Sequence, residues 1–145
     1  MGFPLMKFRF LLLICALLAL AGCYPVKGRA ACEKAVDRFH EDYVAARIEQ
    51  INAAAHPDFQ AAHMGETLKV FREQQGGIVR TRLSGWNVEE TSAGQNILMF
   101  YSTLFEKSGG HEEFTYRLKD GQPVLVAWKF VYDEGVKPDK ESEDD

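Results

Sequence analysis

The chain carries four histidines, and two of them, His56 and His63, stand seven residues apart beside Asp58 and Glu66. Imidazole and carboxylate at close range are the side chains of a divalent-metal site. Here the spacing crosses His56-Pro57-Asp58, where proline interrupts a helix, and it matches no regular ligand pattern. These residues are therefore expected at a loop and a helix start, with no metal and no cofactor. A second set is His40, Glu41, Asp42 and Tyr43, followed far downstream by Tyr101, Tyr116, Trp128 and Tyr132. A phenol beside an acid or an imidazole is equipment for proton transfer, but only when the partner points at it. Helical patterning puts Glu41 and Asp42 on a solvated face. There is no Gly-rich phosphate loop, no Cys-x-x-Cys and no His-Glu-x-x-His. No catalytic residue is predicted.

The elements that must hold these residues are legible from period. A helix is expected over 30–54, where Val36, Phe39, Tyr43, Ala46 and Ile51 recur at three- and four-residue steps. A turn of helix over 59–63 and a helix over 65–75 follow, the latter with Leu68, Phe71 and Val70 inward and Gly76-Gly77 as its stop. Four strands are then expected at 78–91, 96–107, 111–119 and 123–133, joined by hairpin turns at Ser92-Ala93-Gly94-Gln95, Lys107-Ser108-Gly109-Gly110 and Asp120-Gly121-Gln122. The third strand alternates Phe114, Tyr116 and Leu118 with Glu113, Thr115, Arg117 and Lys119. The fourth sets Val124, Val126, Trp128, Phe130 and Tyr132 on one face, which the helices must cover. Glu113, Arg117, Lys119, Lys129 and Asp133 point the other way. Glu89, Glu90, Glu112 and Glu113 are expected to pair across strands with Arg80, Arg82 and Arg117.

Two surfaces follow from this pattern. His40, Tyr43, Tyr101, Tyr116, Trp128 and Tyr132 converge between helix and sheet, either as a filled core or as the lining of a ligand cavity. The second strand is apolar on both faces, so Leu98, Phe100 and Leu104, with Leu125 beside them, form an interface patch on the far side of the sheet. That patch points to a second partner surface, a homodimer or another envelope protein.

The start of the chain is built like an export signal. Lys7 and Arg9 precede an apolar run from Phe10 to Leu20, too short to span a bilayer as a helix. It closes on Leu20-Ala21-Gly22-Cys23, which resembles the lipobox of bacterial lipoproteins. The resemblance implies removal of residues 1–22, a diacylglyceryl group on the Cys23 sulfur, and anchoring to a membrane through that lipid. Tyr24 stands where the family's inner-membrane retention signal is usually Asp, so in a host with two membranes the outer one is implied, with the domain facing the periplasm. Processing leaves 123 residues, and the formal net charge of −4 becomes −6 as Lys7 and Arg9 depart. Most of that excess lies beyond Tyr132, so the body offers no basic footprint for nucleic acid. Cys32 is left alone after processing and is expected as a small buried residue on the first helix.

A long first helix, shorter helices and a four-stranded antiparallel meander are similar to the nuclear transport factor 2-like (cystatin-like) superfamily over residues 30–133. The residues that carry the likeness are Phe39, Tyr43, His56-Pro57-Asp58-Phe59, Phe71 with Gly76-Gly77, and Trp128-Lys129-Phe130-Val131-Tyr132. The resemblance implies a curved sheet wrapped on helices around a cone-shaped cavity. The expected organisation is a signal peptide at 1–22, a lipidated tether at 23–29, an α+β domain at 30–133 and an acidic, solvated tail at 134–145. The expected function is a lipid-anchored envelope domain that binds a protein partner or a small apolar ligand without catalysis. A cavity-type isomerase or dehydratase of the same superfamily and a homodimeric interaction protein are the alternatives.

Overall fold

The computed structural model describes residues 24–134, so Cys23, the signal at 1–22 and the acidic tail from residue 135 onward lie outside the described residues. Four helices come first: α1 (Tyr24–Val44), α2 (Ile48–Ala54), α3 (Pro57–Ala61) and α4 (Met64–Gln75). Four strands follow, β1 (Ile78–Thr91), β2 (Gly94–Phe105), β3 (Gly109–Lys119) and β4 (Gln122–Tyr132). They pair antiparallel in sequence order, β1-β2-β3-β4, in an α+β architecture with the helices on one face of the sheet.

The first helix departs from expectation at both ends. It begins at Tyr24, so residues 24–29, expected as a tether, continue the helix expected from residue 30. Pro25 is compatible with this because a first-turn residue needs no amide hydrogen for an intrahelical bond. Gly28 is buried: a Cβ there would lie 2.9 Å from Ile97 Cδ1 and 3.0 Å from Leu118 Cδ1, so the missing side chain lets α1 close on the sheet. At the other end the helix expected to reach residue 54 stops at Val44 and restarts at Ile48, with Ala46 in the left-handed region at φ 58°. No proline or glycine causes the break. Arg72 of α4 takes the terminal carbonyls of α1 instead, donating from Nε to Tyr43 O at 2.8 Å and from Nη2 to Val44 O at 3.1 Å. A guanidinium on orphan carbonyls is a favourable helix end. The turn re-aims the chain so that Ile48 and Ile51 are buried.

The shorter helices follow the sequence closely. His56 caps α3, its Nδ1 accepting from Asp58 N at 3.1 Å. Gly76 ends α4 at φ 77°, a conformation that favours glycine. Leu68 and Phe71 face inward from α4, but Val70 lies off that stripe and is 49% exposed, against the expectation.

The inner face of the sheet carries Ile97, Met99, Tyr101, Thr103 and Phe105 from β2, Glu112, Phe114 and Tyr116 from β3, and Leu125 and Trp128 from β4. Leu125 was expected on the outer face. The β3–β4 register places Thr115 opposite Ala127 and Tyr116 opposite Leu125, so Val126 is an extra residue. That bulge reverses the alternation of β4 on one side and turns Leu125 into the core, while Val124 and Val126 stay partly exposed. On the outer face Leu98, Phe100 and Leu104 do lie in a row. Leu98 is nevertheless only 9% exposed, and Phe100 and Leu104 are half-buried.

The space between helix and sheet is occupied by rings. Phe39 meets Phe114 edge-on at 4.9 Å, Phe71 meets Trp128 at 5.1 Å and Phe105 at 5.1 Å, and Tyr43 meets Phe105 at 5.6 Å. Such pairs each contribute about 0.5–1.5 kcal/mol beyond the area they bury. His40, Tyr43, Tyr101, Tyr116 and Trp128 are therefore core residues. Tyr132 is not among them. It sits past the cover of α4, 52% exposed, where its hydroxyl accepts from Gln75 Nε2 at 3.3 Å.

Candidate functional site

Within this aromatic interior lies one carboxylate. Glu112 is on the inner face of β3 because it shares parity with Phe114 and Tyr116, and it is 1% exposed. It pairs in register with Tyr101 on β2 and with Phe130 on β4, so the sheet centre holds its backbone on both sides. Both of its oxygens are engaged. Trp128 Nε1 donates to Oε1 at 3.0 Å, Thr103 Oγ1 donates to Oε2 at 2.6 Å, and His40 Nε2 lies 2.8 Å from Oε2. A buried carboxyl group is tolerable when it is hydrogen-bonded, and three contacts supply that here. Indole N–H only donates, so Oε1 must accept. With Glu112 as the carboxylate, Nε2 of His40 carries the proton of their contact.

The network reaches solvent at two points, and both open on the same groove. His40 projects from α1 with only 9% of its side chain exposed. No buried side-chain polar atom among the described residues lacks a partner, and Nδ1 of His40 makes no hydrogen bond, so Nδ1 is the edge of the ring that meets the surface. From the other end, Thr81 on the edge strand β1 shares a hydroxyl hydrogen bond of 3.0 Å with Thr103. His40 and Thr81 both line an open groove of about 710 Å³ between α1 and β1, along with Asp37, Glu41, Val44 and Ile78. Asp37 and Glu41 form no ion pair within the described structure. A second, smaller notch of about 100 Å³ lies between α1, α2 and the β3–β4 hairpin, against Phe39, Tyr116 and Leu125.

Burial governs the remaining titratable groups. It pushes the Tyr116 phenol well above the usual range, with the buried Cys32 thiol adding in the same direction. It raises Tyr101, helped by the negative charge of Asp37 and Glu33, and it raises Tyr43 against the opposing pull of Arg72. These phenols stay protonated and act as donors or packing groups. Tyr43, for instance, donates to Gly76 O at 3.0 Å. Desolvation pushes the Cys32 thiol up to about 12, which leaves it without thiolate character.

Of the residues singled out from sequence, His40 and Trp128 meet at Glu112, while Tyr43, Tyr101 and Tyr116 surround that centre without a hydrogen bond to it. Glu112 does not pair with an arginine as expected but meets His40, and Arg117 turns to Asn96 Oδ1 at 3.2 Å and to Asp58 Oδ2 at 3.8 Å rather than to a strand glutamate. Glu112, Thr103 and Thr81 were not recognised as a site. The signal was present in Glu112, which stands two residues before Phe114 in a strand of period two. His56 is a helix cap, His63 is exposed beside Glu66, and no cluster of three or more metal-ligating side chains occurs among the described residues.

No family model, curated protein or solved structure matches the chain. Among the described residues no helix is long and apolar enough to cross a membrane. What the site can do is thus read from its own geometry. The buried carboxylate is engaged at both oxygens by protein groups. The imidazole it holds presents one nitrogen to an open groove.

Proposed function

We propose that this chain is a lipid-anchored bacterial envelope protein whose domain, of the nuclear transport factor 2-like kind, binds a ligand or partner without catalysing a reaction. The observation that carries the binding reading is the filling of the interior: rings from α1, α4 and the sheet occupy the place of a cone-shaped cavity, and both oxygens of the carboxylate inside are already engaged by protein groups. Recognition is then a surface event, and the groove between α1 and β1 is where the polar core reaches the surface. Anchoring rests on Leu20-Ala21-Gly22-Cys23 and the apolar run before it. Two acyl signals are enough for stable membrane attachment.

Fractionation of cells grown with labelled palmitate tests the anchored reading. The wild type should carry label and sediment with membranes, and Cys23→Ala should be unlabelled and soluble in the envelope. An unlabelled wild type rejects it.

A further inference from the structure

We infer that the groove between α1 and β1 binds a primary ammonium group borne on a short apolar stem. The inference deepens the binding reading and rests on it. Three features of the groove agree. His40 lines the groove with 9% of its side chain exposed, and its Nδ1 makes no hydrogen bond within the described structure. Its other nitrogen is committed to Glu112 at 2.8 Å, and Glu112 is itself fixed by Thr103 and Trp128. A neutral ring whose Nε2 holds the proton offers a lone pair at Nδ1, and in that tautomer the floor accepts a hydrogen bond. At the rim, Asp37 and Glu41 stand one helical turn apart on the same face of α1 as His40. Arg47, the cation at the end of the groove, is already engaged by Asp42 at 2.8 Å. Along the walls, Val44, Ala45 and Ile78 are apolar.

An acceptor at the floor, two carboxylates at the rim and an apolar wall suit a donor-rich cation with a few methylenes. A carboxylate or phosphate ligand would meet like charge. A neutral apolar ligand would leave Nδ1 and both acids unanswered. Glu112 never touches the ligand; it is a positioning residue that sets which nitrogen of His40 faces the groove. The ammonium group can come from a free alkylamine or from a lysine side chain of another protein.

The test is a nuclear magnetic resonance titration of the full, isotope-labelled chain in detergent micelles. The probes are n-butylammonium, 1-butanol and butyrate at equal concentration, with Nα-acetyl-lysine-methylamide as a fourth. Butylammonium should shift His40, Val44 and Thr81 with roughly millimolar affinity, the scale for so small a ligand. The His40 ring should show a protonated Nε2 and an unprotonated Nδ1 before titration. Asp37→Asn with Glu41→Gln, both on the exposed helix face, should weaken binding roughly tenfold without loss of fold. Glu112→Gln should invert the tautomer of His40 and abolish the butylammonium shifts while the rest of the spectrum stays folded. Tighter binding of the lysine probe assigns the source to a protein, and tighter binding of butylammonium assigns it to a free amine; either supports the site. Equal shifts with 1-butanol overturn the ammonium assignment and leave a binding groove for apolar ligands. The absence of shifts with every probe overturns the site, and palmitate labelling then still decides the anchored reading independently.

Discussion

Replacing Glu112 with alanine should come close to unfolding the domain, whereas replacing it with glutamine should not. In Glu112→Ala, three donors lose their acceptor at once: Trp128 Nε1, which sat at 3.0 Å, Thr103 Oγ1 at 2.6 Å, and His40 Nε2 at 2.8 Å. Each orphaned buried donor costs about 1–3 kcal/mol, and Thr103 can turn part of its deficit toward Thr81. The truncation also leaves a void in a site that is 1% exposed and walled by rings. A loss of about 4–6 kcal/mol follows, against a total of about 5–15 kcal/mol for a domain of this size. Glutamine can refill the same volume. With its amide oxygen toward Trp128 and its NH2 toward Thr103 and His40, every contact is restored provided His40 moves its proton to Nδ1 and Thr103 accepts. The cost should then be about 1–2 kcal/mol, the difference between a charged and a neutral hydrogen-bonded centre. Urea unfolding followed by tryptophan fluorescence measures both variants on one scale. A Glu112→Ala protein within about 1 kcal/mol of the wild type would refute the reasoning, since no network holding three buried donors can be removed so cheaply.

Arg72→Ala should cost about 1–2 kcal/mol, by freeing the Tyr43 and Val44 carbonyls that its guanidinium caps, and amide exchange at the end of α1 should rise in step. Gly28→Val should destabilise by about 1–3 kcal/mol, seen as a lower thermal midpoint, because its Cβ would start 2.9 Å from Ile97 Cδ1 in a filled core. Cys32 in the native chain holds its proton up to about pH 12, whereas the unfolded chain loses it near 9. The native state therefore binds more protons across that interval, so this group's contribution to stability is complete below pH 9 and fades as pH rises through about 12. Alkylation of Cys32 at pH 8, followed by peptide mass spectrometry, should be at least ~100-fold slower in the native protein than in urea.

Strand positions were legible because period two survives wherever one face is buried. All four expected strands fall within two residues of the observed ones at either end. The exceptions share a cause. Leu125 was misassigned because a bulge at Val126 inserts one residue, and a local insertion leaves no mark in a hydropathy pattern. The break after Val44 was invisible for the same kind of reason: Ala45-Ala46-Arg47 has no helix-breaking residue, and the stop is imposed by Arg72, far along the chain. By its type Glu112 belongs on the surface, although its parity with Phe114 places it inside. Residue type argued for solvent and position argued for the core. Position won because His40, Thr103 and Trp128, from three other elements, converge to make burial tolerable. No local window of sequence contains that convergence.

On the proposed anchoring, the early start of α1 changes how the groove would stand over a membrane. Tyr24, which follows Cys23 directly in the sequence, is already helical. On the proposed anchoring, the lipid is joined to a rod and not to a cord. His40 lies sixteen residues farther along that rod, which at 1.5 Å per residue sets it about 24 Å from the helix start. A cord would let the groove sweep a wide shell and meet ligands at any height. A rod fixes its distance from the anchor, so the lipid would act as a ruler that selects partners by their reach from the point of attachment.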